Sequence, residues 1–165
     1  MIIFGLDPGY AIVGFGVISY EASRFKVLEY GAITTDKDTP FEKRIEEIYD
    51  GMNYLLEKYK PAAMSVEKLY FNTNTTTAIS VAQARGVCLL SAVKHGVEIA
   101  EYTPLQVKMA VTGYGRAEKH QIMEMTKTLL SLKETPKPDD AADALAVAVC
   151  HAHTGGSIAS RLGLR

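Results

Sequence analysis

The spacing of apolar residues divides the chain into a strand-rich first part and a helix-rich remainder. Residues 2–7 form an apolar run that ends at Pro8-Gly9, a strong turn signal. Residues 12–20 alternate large side chains with Gly14 and Gly16, and residues 26–33 give a third run. The short connections between them predict an antiparallel meander. Phe41, Ile45, Ile48, Tyr49, Met52, Leu55, Leu56 and Tyr59 then recur at helical spacing, predicting an amphipathic helix over 40–59 that Pro61 stops. A strand over 62–67, a polar loop, a helix over 75–94 with Asn74 as N-cap, and a strand over 97–102 follow. Helices over 104–111, 117–132 and 139–153 complete the pattern. The first begins at Pro104 and is broken at Gly113-Tyr114-Gly115. The order βββ-α-β-α-β-α-α-α predicts one α/β domain, a mixed five-stranded sheet with helices on both faces.

Composition agrees with a single domain. The chain has 165 residues, 47% of them hydrophobic, enough for a substantial core. Residues 1–154 are expected to form that domain, and 155–165 a flexible basic tail carrying Arg161 and Arg165 without an acid. Cys88 and Cys150 lie in apolar helical patterns with no zinc or disulfide spacing, and read as reduced core thiols. The N-terminal run lacks the features of a signal peptide, and no apolar stretch is long enough to span a membrane. A soluble, cytoplasmic protein is expected, and the Asn74-Thr75-Thr76 sequon carries no weight. The net charge of −1 does not decide between partner classes, but its distribution is uneven. Between Thr103 and His120, Lys108, Arg116 and Lys119 face a single acid, Glu118. Acids and bases interleave from Asp36 to Lys60, which reads as a solvated helix face.

Four acids stand where acids are costly. Asp7 and Glu67 end apolar strands, and Asp140 and Asp143 open the apolar stretch that runs to Val149. Carboxylates are rarely buried unless paired or bound to metal. Ligands of open α/β sheets sit beyond the carboxyl ends of strands, where Asp7 and Glu67 lie. Asp140 and Asp143 are three residues apart, so they share one helix face. If these segments converge, their repulsion demands a cation. An all-oxygen set suits Mg²⁺ or Mn²⁺ rather than zinc. Two ions about 4 Å apart, with Asp7 as the bridging ligand, would organise in-line attack of water on a phosphodiester. Each acid has a plainer alternative: turn residue for Asp7, solvated strand end for Glu67, helix cap for Asp140. Asp143 is harder to explain so, because alanines flank it.

Five motifs in order carry a resemblance. Gly5-Leu6-Asp7-Pro8-Gly9, Ser65-Val66-Glu67-Lys68-Leu69-Tyr70, Ala82-Gln83-Ala84-Arg85-Gly86, Ala117-Glu118-Lys119 and Asp140-Ala141-Ala142-Asp143-Ala144-Leu145-Ala146 span the chain to about His153. Together they resemble the RuvC family of bacterial Holliday junction resolvases. The resemblance implies a ribonuclease H-like fold, a homodimer, and Mg²⁺-dependent paired nicking of four-way DNA junctions leaving 5′-phosphate and 3′-hydroxyl ends. It further implies two Mg²⁺ per subunit, with Mn²⁺ as a substitute, and the branch-migration proteins RuvA and RuvB as partners.

Carried over by matched position, Asp7, Glu67, Asp140 and Asp143 become catalytic metal ligands. Asp139 is a neighbouring acid, but the spacing to Asp143 favours Asp140. Some relatives place His where Asp140 stands. Tyr70 falls where the family has an aromatic that stacks on a junction base, and Phe71 follows it. Lys108 and Lys119 match positions that contact DNA phosphate; Arg116 sits in the same loop without a strong match. Flanking cations are also needed on physical grounds, because a carboxylate cluster repels DNA. Asn72 and Asn74 are candidates for backbone contacts, with helix capping as the alternative. Ala78, Ala82 and Gly86 form a small-residue face read as the dimer seam, with packing onto the sheet as the alternative. His151 and His153 are expected to be structural.

Other functions remain to be weighed. The Gly5–Gly9 motif also resembles the phosphate-binding hairpin of actin-like and sugar-kinase ATPases, which need two such lobes. A ribonuclease H or YqgF-like nuclease would share the fold, but the Asp140/Asp143 pair favours RuvC. A non-catalytic junction-binding module would keep the lysines and lose acids, whereas all four acids are present.

Overall fold

The computed structural model describes residues 1–68 and 77–161, with side chains through residue 155. The described residues form β1 (Ile2–Asp7), β2 (Ile12–Glu21), β3 (Arg24–Thr34), α1 (Phe41–Tyr59), β4 (Ala63–Glu67), α2 (Ala78–Lys94), β5 (Glu98–Tyr102), α3 (Pro104–Thr112), α4 (Lys119–Leu129) and α5 (Asp139–Arg161). One mixed sheet has the order β3-β2-β1-β4-β5. β1, β2 and β3 pair antiparallel, while β4 joins β1, and β5 joins β4, in parallel. The expected mixed five-stranded sheet is therefore present.

β1 is central because both its faces are apolar. Phe4 and Leu6 point to one side, where Ile48, Met52 and Leu56 of α1 and Ala84 and Cys88 of α2 complete a core. Ile3 points to the other, against Leu145 and Val149 of α5. α5 is buried nearly all round from Ala141 to Ala152, being held between the sheet and α3 and α4. That explains why apolar residues fill its whole circumference instead of one stripe. Both cysteines are free and buried in these layers.

Glycines decide how near α5 comes to the sheet. Gly5 and Gly16 are register partners, as are Asp7 and Gly14, so Gly5, Gly14 and Gly16 share the face under α5. A Cβ on Gly5 would stand 2.0 Å from the Ala144 carbonyl oxygen, and one on Gly16 would stand 2.6 Å from Leu145 Cγ. The large–small alternation of β2 thus has a cause. Large residues fill the α1–α2 side, and glycines make a trough for α5.

Differences from the periodicity lie at element ends. Asn74, expected as a cap, lies outside the described residues, and α2 begins at Ala78 behind Thr77. α4 begins at Lys119 rather than 117, because the backbone N–H of Glu118 donates to Gln121 Oε1 at 2.9 Å and marks the helix start. α5 does not stop near 153. Gly155 and Gly156 stay helical, at the modest cost glycine carries in a helix, and the helix takes in the first part of the expected tail. Among the described residues no helix is long and apolar enough to cross a membrane.

Candidate active site

β1 and β4 run parallel with Leu6 beside Val66, so Asp7 and Glu67 emerge side by side at adjacent strand ends. Both are on the face covered by α5. The trough then brings in the first turns of α5: a Cβ on Gly14 would lie 2.2 Å from the Asp140 carbonyl oxygen. Asp140 and Asp143 are thereby held over the strand ends. An open cleft of about 510 Å³ forms there, lined by Asp7, Glu67 and Asp143 together with Lys68, Lys108 and Lys119. Pro8, Pro104, Val107, Ile122 and Ala146 supply its remaining walls.

The acids are close enough for their charges to act on one another. The Asp7 carboxyl is pushed up to about 7, first by burial, then by the charges of Asp143, Asp140 and Glu67, with Lys119 opposing. Glu67 is raised by burial and by Asp143, and lowered by Lys108. Asp143 is also raised, mainly by burial, although its hydrogen bond and charge interaction with Lys119 oppose this. Lys119 Nζ stands 3.1 Å from Asp143 and 3.3 Å from Asp139. Burial works against its charge, but these two acids outweigh it and raise its pKa.

The donor set fits a hard divalent cation, since its oxygens repel one another and lie in a partly dry cleft. Among the described residues, however, no three acidic, His or Cys side chains are already closed into a metal-holding group. Asp143 Oδ2 is instead engaged by Lys119. Asp140 acts on Asp7 through its charge but is not among the residues lining the cleft.

Of the other candidate residues, Lys108 and Lys119 are at the cleft, while Arg116 is exposed and outside its lining. Tyr70, Phe71, Asn72 and Asn74 lie outside the described residues. Ala82 and Gly86 face outward, and a Cβ on Gly86 would meet nothing within 4 Å, so the small face of α2 is not used to pack on the sheet. Arg85 of the same motif pairs with Glu101 and ties α2 to β5. His151 and His153 are structural: their Nδ1 atoms lie 2.8 Å from the Tyr102 hydroxyl and 2.9 Å from the Ala110 carbonyl. The sequence reading missed Lys68, Pro104 and Val107 as cleft residues. Pro104 could have been found from helical spacing, four positions before Lys108, and Lys68 from its place beside Glu67.

Comparison with known proteins identifies the family. The family model described as crossover junction endodeoxyribonuclease RuvC matches residues 3–151. A crossover junction endodeoxyribonuclease RuvC of Alkaliphilus metalliredigens is 58% identical over 155 residues, covering 94% of each chain. The structure of Thermus thermophilus RuvC superposes with a TM-score of 0.87 at 34% identity, covering 99% of this chain and 97% of that one. The same protein in complex with a Holliday junction substrate gives 0.86 at 31% identity, with the same coverage. The fold is accordingly the ribonuclease H-like fold of these resolvases, and the chain belongs to the RuvC family of crossover junction endodeoxyribonucleases.

Proposed function

We propose that this chain resolves four-way DNA junctions by metal-dependent phosphodiester hydrolysis in the cleft between β1, β4 and α5. The endonuclease activity follows from the family; the assignment of roles to residues is the proposal. One observation carries it: Asp7, Glu67 and Asp143 line one lysine-rimmed cleft, and the charge of Asp143 raises the proton affinity of the other two. Acids held in this way favour a bound cation over three separate charges.

Asp7, Glu67, Asp140 and Asp143 would hold two Mg²⁺ per subunit, with Mn²⁺ as a substitute. Bound there, the ions would supply a deprotonated water and offset charge on the leaving 3′ oxygen. Asp7 would be central to that set, because the charges of all three other acids act on it. Lys108 and Lys119 would seat phosphates at the rim, and Lys119 also holds Asp143. Tyr70 would stack on a junction base, worth about 1–3 kcal/mol, and Phe71, Asn72, Asn74 and Arg116 would add contacts to the DNA. The products carry 5′-phosphate and 3′-hydroxyl ends.

Two symmetric cuts call for two active sites, and α2 offers a seam. Ile79, Ala82, Gly86, Leu90 and Val93 recur three or four residues apart, and Ile79, Leu90 and Val93 are 72%, 53% and 62% exposed. An apolar stripe of this kind suits an isologous homodimer, with Ala78, Ala82 and Gly86 allowing close approach. Action beside RuvA and RuvB in the cytoplasm completes the reading. The test compares a four-way junction, a matched duplex and an RNA–DNA hybrid under Mg²⁺. Symmetric nicking of the junction alone is expected, and cleavage of the hybrid would contradict the substrate assignment.

A further inference from the structure

We infer that Arg44 is a positioning residue for Asp7 and for the Pro8 wall of the cleft, acting through the turn that joins β1 to β2. The inference rests on the reading of Asp7 as a metal ligand.

Arg44 lies in the stretch whose interleaved charges predict a solvated face, yet it is only 7% exposed. Its Nε donates to Thr35 Oγ1 at 2.8 Å, and its Nη2 to the Tyr10 carbonyl at 3.3 Å. The guanidinium carbon stands 4.6 Å from the centre of the Tyr10 ring, which also packs on Phe41. Thr35 Oγ1 donates to the same Tyr10 carbonyl at 2.7 Å, and the Thr35 backbone N–H donates to the Ala11 carbonyl at 3.0 Å. Among the described residues no carboxylate comes within ion-pair distance of Arg44, although Glu42, Glu46 and Glu47 are near it in sequence.

A guanidinium withdrawn from water without a counter-charge is a costly way to pack a helix. An apolar side chain, as at Ile45 or Ile48, would do that at less cost. What Arg44 adds is direction: its rigid planar fork fixes a carbonyl and a hydroxyl together. The carbonyl it fixes belongs to Tyr10, and only Pro8 and Gly9 separate Tyr10 from Asp7. Proline locks its own φ, so it gives little slack. Gly9 is tightly enclosed, since a Cβ there would stand 2.3 Å from the Ile12 carbonyl oxygen. The clamp on Tyr10 is therefore transmitted along a short, stiff segment to Pro8, which lines the cleft, and to the backbone that carries the Asp7 carboxylate.

The test uses the full chain with Arg44→Met, which keeps an unbranched apolar stem without the guanidinium, and Thr35→Val, which removes the hydroxyl that Arg44 and the Tyr10 carbonyl share. Mn²⁺ binding to the DNA-free protein is read from the loss of the free-ion electron paramagnetic resonance signal. Single-turnover junction cleavage and junction affinity without metal are measured in parallel. For Arg44→Met, Mn²⁺ affinity is expected to fall about tenfold and cleavage at saturating enzyme at least tenfold, with junction affinity within twofold of the parent. Thr35→Val is expected to move both quantities in the same direction by a smaller factor. Should Arg44→Met fail to fold, Thr35→Val alone decides. Unchanged Mn²⁺ affinity or unchanged cleavage in a folded variant overturns the clamp. Asp7→Asn separates the two readings: if it cleaves normally, the assignment of Asp7 fails first, whereas an inactive Asp7→Asn beside a fully competent Arg44→Met defeats the clamp alone.

Discussion

Gly14 and Asp140 meet backbone to backbone: a Cβ on Gly14 would lie 2.2 Å from the Asp140 carbonyl oxygen and 2.7 Å from its Cβ. The neighbour is helix backbone, so it cannot swing aside as a flexible side chain would. Gly14→Ala is expected to push the start of α5 off the sheet, destabilising the fold by about 1–3 kcal/mol and reducing cleavage more than tenfold. Denaturant midpoints and single-turnover cleavage measure the two effects. A stable and fully active Gly14→Ala would show that the closeness of α5 is not needed for the site.

Without metal, the acid cluster works against folding as pH rises. The Asp7 pKa goes from the ordinary 3.8 to about 7 on folding, so the folded chain holds more protons than the unfolded one between those values. Stability therefore falls as pH rises through that window, and the raised carboxyls of Glu67 and Asp143 act in the same direction. In EDTA at pH 8, Asp7→Asn should be more stable than the parent by roughly 2–4 kcal/mol, and the difference should shrink toward pH 4. Chemical denaturation across pH checks this. A difference that does not vary with pH would mean that Asp7 is not strained by its neighbours.

Lys119 holds Asp143 and Asp139 and lines the cleft. Removing its charge with Lys119→Met leaves Asp143 with one fewer favourable partner and the phosphate with one fewer cation. Cleavage is expected to fall about 10–100-fold, and the dependence of junction affinity on salt should lose about one unit of slope. Titrations at several salt concentrations provide the measurement, and an unchanged slope would place Lys119 off the DNA path.

Leu90 and Val93 expose large apolar area on α2. If two copies pair through α2 as proposed, Leu90→Glu is expected to yield monomers in sedimentation experiments and to uncouple the paired cuts, leaving single nicks. A monomeric parent protein, or a dimer unaffected by Leu90→Glu, would remove α2 as the seam.

Much of this architecture was legible because it rests on local signals. The apolar run of β1, the helical spacing of α1 and the Pro-Gly turn each predict their element without long-range knowledge. The four acids stood out because charge beside core-like sequence has few cheap explanations. What periodicity could not show was contact between distant segments. Gly14 and Gly16 were visible as an alternation, but the helix they admit lies more than a hundred residues away. Arg44 sat among surface-like charges, and only the fold reveals Tyr10 and Thr35 closing over it. Asp139 appeared as a spare acid, whereas it shares Lys119 with Asp143. Gly155 and Gly156 suggested a helix end, yet glycine lowers helix stability without forbidding a helix, and α5 continues to Arg161.

The central claim is that Asp7, where the other acids' influence converges, is required for metal-dependent cutting rather than for binding the junction. Single-turnover cleavage of a four-way junction should be measured for the parent chain and Asp7→Asn across a Mg²⁺ titration, alongside junction affinity in EDTA. The account predicts symmetric nicking by the parent and at least a thousandfold loss in Asp7→Asn at every Mg²⁺ concentration, with junction affinity retained or improved. Junction cleavage by Asp7→Asn within tenfold of the parent would contradict it.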